Sequence, residues 1–203
     1  GLGVGIGDLQ KAFDAMLQRR FQPLLTALAP VSGLQDAVEE QNVDRVGGLA
    51  QANPGSYLAQ LAHGRLLWEA RRPGEAMAAL ERASALVPTA SGGESPHALM
   101  ARMAMEQKDV ARAITELEAL LEHEHTNVQA ARELVTLLAN SNPDRARLTA
   151  AYRRVVAIDP FDTAAHARLG KLLLAQQDAE GAIQELRAGL ASGPADRADL
   201  LVD

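Results

Sequence analysis

The sequence predicts an all-α fold, a superhelical solenoid of short helical hairpins. Three observations predict it. The first is a spacing: Gly64 is followed by Ala76 twelve places on, then by Leu80, Ala83 and Pro88. The same spacing returns in Ala101, Ala113, Leu117, Leu120 and His125. It returns again in Thr136, Leu148, Tyr152, Val155 and Pro160, and in Gly170, Ala182, Leu186, Gly189 and Pro194. Small residues at that separation describe two short antiparallel helices touching where their side chains are smallest. The second observation is a period. The helix-ending marks at 88, 125, 160 and 194 lie 37, 35 and 34 residues apart, which is the signature of stacked repeats. The third is composition. The chain is 47% hydrophobic but 3% aromatic, so Ala and Leu supply the apolar content, which favours close-packed helices over a sheet.

The elements follow in order. The glycine-alternating residues 1–7 read as disordered or a linker. Asp8 is placed to cap a helix through LQKAFDAMLQRRFQPLL, with Leu9, Phe13, Met16, Leu17 and Phe21 on one apolar face. Pro23 is expected to bend or end it. Leu34 to Ala52 reads as one irregular helix or two short ones, weakened at Asn42 and at Gly47-Gly48. Together 8–55 form an N-terminal helical cap region. Asn53-Pro54-Gly55 is a turn, and Ser56 is an N-cap. Four repeats then occupy 56–196, at about 57–90, 94–127, 129–162 and 163–196. The first two should place helices at about 57–70, 74–86, 96–107 and 110–123. The residues 197–203 read as a cap helix or a truncated repeat.

These repeats resemble tetratricopeptide repeats (TPR). That family has a small residue in the first helix, alanines in the second and a closing proline, as at Gly64, Ala76, Ala83 and Pro88. The match is loosest in the third repeat, where Thr136 and Leu148 replace small residues. The family's aromatic early in the first helix is replaced by Gln60, His97, Arg132 and His166. The resemblance implies a right-handed superhelix whose first helices line a concave face. A weaker resemblance, in KAFDAMLQRRFQPL, ANPGSYLAQLAHGRLL and IDPFDTAAHARLG, is to the C-terminal TPR region of bacterial gluzincin-type metallopeptidase proteins. The H-E-x-x-H signature of such enzymes does not occur in this chain. The chain does not begin with Met, which we read as a fragment or processed form of a longer protein.

Function is less legible. A net charge of -6 argues against general nucleic-acid binding while leaving a local basic patch open. There is no cysteine, and no apolar run reaches the length of a membrane span. His123-Glu124-His125 tempts a metal reading, but residues two apart point to different faces of a helix, and the segment falls at a helix end. His63, His97 and His166 read as packing histidines. We expect no catalytic residues, metal site or cofactor. The expected site is a peptide groove on the first helices. The residue after each small crossing residue points into it: Arg65, Arg102, Leu137 and Lys171. One turn on come Trp68, Met105, Asn140 and Leu174; one turn before come Leu61, Ala98, Glu133 and Ala167. Within this face Arg65, Trp68, Arg102, Met105, Asn140 and Lys171 are the candidate contacts, and an acidic protein or peptide is the expected partner. The competing reading is that Arg65 and Arg102 pair with Glu69, Glu106 or Glu133 and merely solvate the face. An architectural role is the alternative: docking or spacing an upstream zinc-peptidase-like domain, with Phe13, Met16 and Phe21 packing on that domain or on the first repeat.

Overall fold

The computed structural model describes residues 5–141 and 144–193. Residues 1–4 of the expected linker, Pro194 as a helix stop, and the expected C-terminal piece at 197–203 lie outside them. All regular structure among the described residues is helical: α1 (Ile6–Ala27), α2 (Leu34–Glu39), α3 (Val43–Ala52), α4 (Tyr57–Glu69), α5 (Pro73–Leu86), α6 (Pro96–Glu106), α7 (Val110–His123), α8 (Val128–Asn140), α9 (Arg145–Ile158), α10 (Thr163–Ala175) and α11 (Ala179–Ala191). They form two compact units, Gly1–Met103 and Ala104–Asp203.

Caps set most helix starts. Side chains of Asn42, Ser56, Asp109, Asn127, Asp162 and Asp178 each accept from the backbone N–H three residues on, at 2.9–3.3 Å. Each satisfies one of the orphan donors of a first turn. Helix α5 instead opens with Pro73, whose missing N–H costs nothing there.

In the first unit, α4 and α5 close on the Gly64 notch. A Cβ at Gly64 would lie 2.7 Å from Leu80 Cγ and 3.2 Å from the Ala76 carbonyl oxygen. Ala76, Ala79, Leu80 and Ala83 are fully buried. Leu67, Leu99, Met100 and Met103 join them in one core, with Trp68 and Leu61 packed on its edge. The second unit repeats the device at Gly170, where a Cβ would meet Leu186 Cγ at 2.8 Å. Leu169, Leu173 and Ala182 form the core beneath it.

The turn inside these hairpins has one form. In the α4–α5, α6–α7 and α10–α11 turns a non-glycine residue takes positive φ: Arg71 at 60°, Lys108 at 59° and Gln177 at 65°. The next N–H bonds back five residues, as in Arg72 to Leu67, Asp109 to Ala104 and Asp178 to Leu173, each at 2.9 Å. This is the Schellman arrangement, which returns the chain antiparallel at once. The α2–α3 turn is the same, with Gln41 at φ 52° and Asn42 N–H bonded to Ala37 O at 3.0 Å. The segment 34–52 is therefore a hairpin with the same turn, not one irregular helix. The break falls at Asn42, and Gly47-Gly48 lies inside α3.

The N-terminal helix departs from expectation in four ways. It starts at Ile6, so Ile6 and Gly7 are helical rather than linker. Gly5 stands at its N-cap, and Asp8 lies in the first turn, where its charge favours the helix dipole. Helix α1 runs through Pro23 to Ala27, so Pro23 does not end it. Its apolar face does not pack on the first repeat: Phe13 is 55% exposed, and Met16 and Phe21 are nearly as open. The opposite side of α1, with Ala15 and Arg19, borders an open cleft of about 840 Å³ shared with Gly55, Ala85 and Leu86.

Candidate functional site

Three of the four polar residues expected in place of an aromatic, Gln60, Arg132 and His166, are hubs between neighbouring elements. Gln60 is buried; its Nε2 donates to Ala50 O at 2.9 Å, and its Oε1 accepts from Arg82 Nε at 2.9 Å. His166 is buried too, with Nδ1 2.7 Å from Glu185 Oε2 and Nε2 3.1 Å from Pro160 O. Arg132 is exposed and reaches Asp159 and Asp162 at 2.9 and 2.8 Å. An aromatic would join these elements by area alone. Hydrogen bonds join them here, which demands that each buried partner be satisfied.

In the first unit, Arg102 is brought to Trp68, and Arg65 stands one turn before Trp68 on α4; neither arginine is a bare cation. Arg65 Nε lies 3.7 Å from Glu69 Oε1, one of the expected neutralising pairs. Arg102 does not depend on Glu106 or Glu133, the partners expected for it. Its Nη2 donates to Gly93 O at 2.8 Å and to Glu94 Oε1 at 3.0 Å. Its guanidinium carbon sits 5.4 Å from the Trp68 ring centroid, within cation–π range. Glu94 was missed because it lies in the loop before α6, eight residues from Arg102, where helical spacing has no say.

In the second unit, Met105 is half-buried at the end of α6, and Asn140 and Lys171 are exposed. Asn140 and Lys171 border a cleft of about 530 Å³ between α8, α9 and α10. Val135, Thr136, Ala139, Leu148, Tyr152, Arg168 and Leu172 complete its lining. Arg168, Tyr152 and Leu148 were not among the expected contacts. The signal for Arg168 was present, since it precedes Lys171 by three and so shares its face. Burial pushes the Tyr152 phenol up, against the opposing charge of Arg168.

The remaining histidines are placed individually. Helix α7 ends at His123, Glu124 caps it, and Asn127 Nδ2 donates to Glu124 Oε2. Among the described residues no group of three or more His, Asp or Glu is arranged to hold a metal ion. His63 lies against the backbone of α3: a Cβ at Gly47 would come within 2.9 Å of its Nε2. Burial holds the His63 imidazole below its ordinary range, and the charges of Arg82 and Arg72 add to this. The unfolded chain therefore takes up this proton more readily than the folded one. The stability His63 contributes is present above about pH 6.5 and is lost as pH falls below it. Urea midpoints measured from about pH 7.5 down to about pH 5.5 should fall more steeply for wild type than for His63→Gln. Equal slopes would remove His63 as the cause.

Comparison with known proteins follows this geometry. Residues 132–197 match the tetratricopeptide repeat family model. No curated protein matches the chain closely enough in sequence to count as a relative. Among solved structures, MamA AMB-1 is similar at TM-score 0.53 and 13% identity, over 91% of this chain and all of that one. A second MamA structure is similar at TM-score 0.52 and 14% identity, over 78% of this chain and 89% of that one. YrrB, described as a TPR protein with an unusual peptide-binding site, is similar at TM-score 0.51 and 14% identity, over 91% of this chain and 95% of that one. No helix among the described residues is long and apolar enough to cross a membrane. The chain thus has the all-α hairpin-repeat fold of a solved TPR protein, and its residues 132–197 carry the tetratricopeptide repeat signature itself.

Proposed function

We propose that the chain is a non-catalytic protein–protein or peptide interaction module. Its partner lies on the face formed by the first helices of the hairpins, the expected concave face, and carries acidic residues. One observation carries this reading: the Arg102 guanidinium is held over the only tryptophan of an acidic chain, with Arg65 exposed one turn before that tryptophan on α4. Aromatic and arginine side chains are the commonest anchors of recognition surfaces. The carboxylates now beside them, Glu69 and Glu94, are themselves half-exposed, so an incoming carboxylate replaces a solvated pair at little cost. YrrB is a precedent for this fold serving peptide binding.

Calorimetric titration of acidic peptides into wild type and an Arg65→Ala/Arg102→Ala variant tests it. The variant should bind about tenfold more weakly, the loss of roughly one charge-assisted contact. Equal affinity for both would dispose of the arginine patch. The second reading is that the chain docks or spaces an upstream zinc-peptidase-like domain. The uncovered apolar stripe of α1 favours it. In that case the same peptides leave wild type unbound.

A further inference from the structure

We propose that the cleft between α8, α9 and α10 is a subsite for an apolar side chain followed directly by a carboxylate in a bound peptide. This rests on the reading of the chain as a peptide-recognition module, and it names the chemistry one part of the surface selects.

The cleft exists because the third hairpin lacks the notch of its neighbours. At Gly64 and at Gly170 the crossing is filled, with leucine carbon 2.7 and 2.8 Å from where a Cβ would stand. At the α8–α9 crossing, Thr136 and Leu148 take the places of small residues. Thr136 is exposed, its hydroxyl turned back to donate to Arg132 O at 2.9 Å. Leu148 and Tyr152 are half-buried. The helices are propped apart there, and the space of about 530 Å³ falls within the range of ligand pockets. Val135, Ala139, Leu148 and Leu172 give it an apolar lining that suits a branched side chain.

Its rim supplies the charge. Arg168 and Lys171 lie on one face of α10 and are both exposed. Neither makes an ion pair among the described residues. Arg65, Arg72, Arg102, Arg132 and Arg147 each hold a carboxylate. Two exposed cations on one rim, neither engaged in an ion pair among the described residues, offer an external anion two charges at once. Asn140 and Tyr152 add polar groups without partners among the described residues, suited to the backbone of an extended chain.

Three short probes read this out by NMR on the ¹⁵N-labelled chain: N-acetyl-Leu-Glu-amide, N-acetyl-Leu-Gln-amide and N-acetyl-Ala-Glu-amide. The first should shift the amides of Leu148, Tyr152 and Lys171 saturably, with about tenfold higher affinity than either of the others. In Arg168→Gln/Lys171→Gln the advantage of Glu over Gln should vanish while that of Leu over Ala persists. Both positions are exposed, so folding is not at issue. Retention of the Glu advantage in the double variant, or shifts confined to other residues, would overturn the subsite. Longer acidic peptides separate the two readings. If wild type and Arg168→Gln/Lys171→Gln bind them equally, the subsite falls and the interaction module stands. If wild type binds none, the module falls and takes the subsite with it.

Discussion

Leu80→Ala is expected to destabilise the first unit by about 2–5 kcal/mol, the range for a fully buried leucine whose surroundings close only in part. Leu80 is wholly buried and fills the hollow above Gly64. Around it Ala76, Ala79 and Leu67 stand on helical backbones that cannot collapse into the gap without unseating α4 from α5. Gly64→Ala attacks the same contact from the other side. The added methyl would stand 2.7 Å from Leu80 Cγ and 3.2 Å from backbone oxygen, so the helices must separate. Overpacking of this kind costs about 1–3 kcal/mol, of which roughly 1 kcal/mol is returned by alanine's better helix propensity. The two changes should not add. In Gly64→Ala/Leu80→Ala the methyl occupies part of the space the leucine left, and the double variant should be more stable than the sum of the singles predicts. Gly48→Ala is the control, since Gly48 lies in α3 with nothing within 4 Å of its Cβ position. It should gain about 0.5–1 kcal/mol. Urea denaturation of the four variants decides the matter. Strict additivity, or a Gly64→Ala that gains as much as Gly48→Ala, would mean that the notch is not the closest contact of the hairpin.

His166→Leu should cost the second unit about 2–3 kcal/mol, although it replaces a polar side chain with an apolar one of similar size. The ring bridges Glu185 on α11 to the Pro160 carbonyl before α10. Leucine keeps the packing and abandons both acceptors. The carboxylate of Glu185 retains some contact with water, and Pro160 O keeps a long bond from Ser192 Oγ at 3.4 Å, so the loss stays below that of two fully orphaned groups. His166→Gln, able to serve one partner, should recover part of the stability. Hydrogen exchange gives a local reading, because α11 amides should lose protection before those of α8 and α9. A His166→Leu variant as stable as wild type would show that the ring acts by packing alone.

Much of the fold was legible because it is written in neighbours along the chain. The small-residue spacing located the notches at Gly64 and Gly170, and the expected cap at Ser56 lies where α4 starts. The α2–α3 hairpin was only half legible. Its Schellman turn uses glutamine at the left-handed position instead of the glycine that would have announced it. Of the candidate contacts, Arg102 lies over Trp68, and Asn140 and Lys171 border one cleft; whether they bind a partner is a matter for the titrations proposed above.

The sequence by itself determined the all-helical class, the repeated hairpin and two of its places of closest approach, at Gly64 and Gly170. These depend on backbone preference and side-chain volume within a few turns. Only the tertiary structure decided which charges are neutralised and which stay open. It paired Arg102 with a loop glutamate, gave Arg132 its two aspartates about thirty residues away, and left Arg168 and Lys171 beside an unfilled cleft. Those outcomes depend on distances between residues far apart in sequence and on how much water each group keeps, and neither is fixed until the helices have packed.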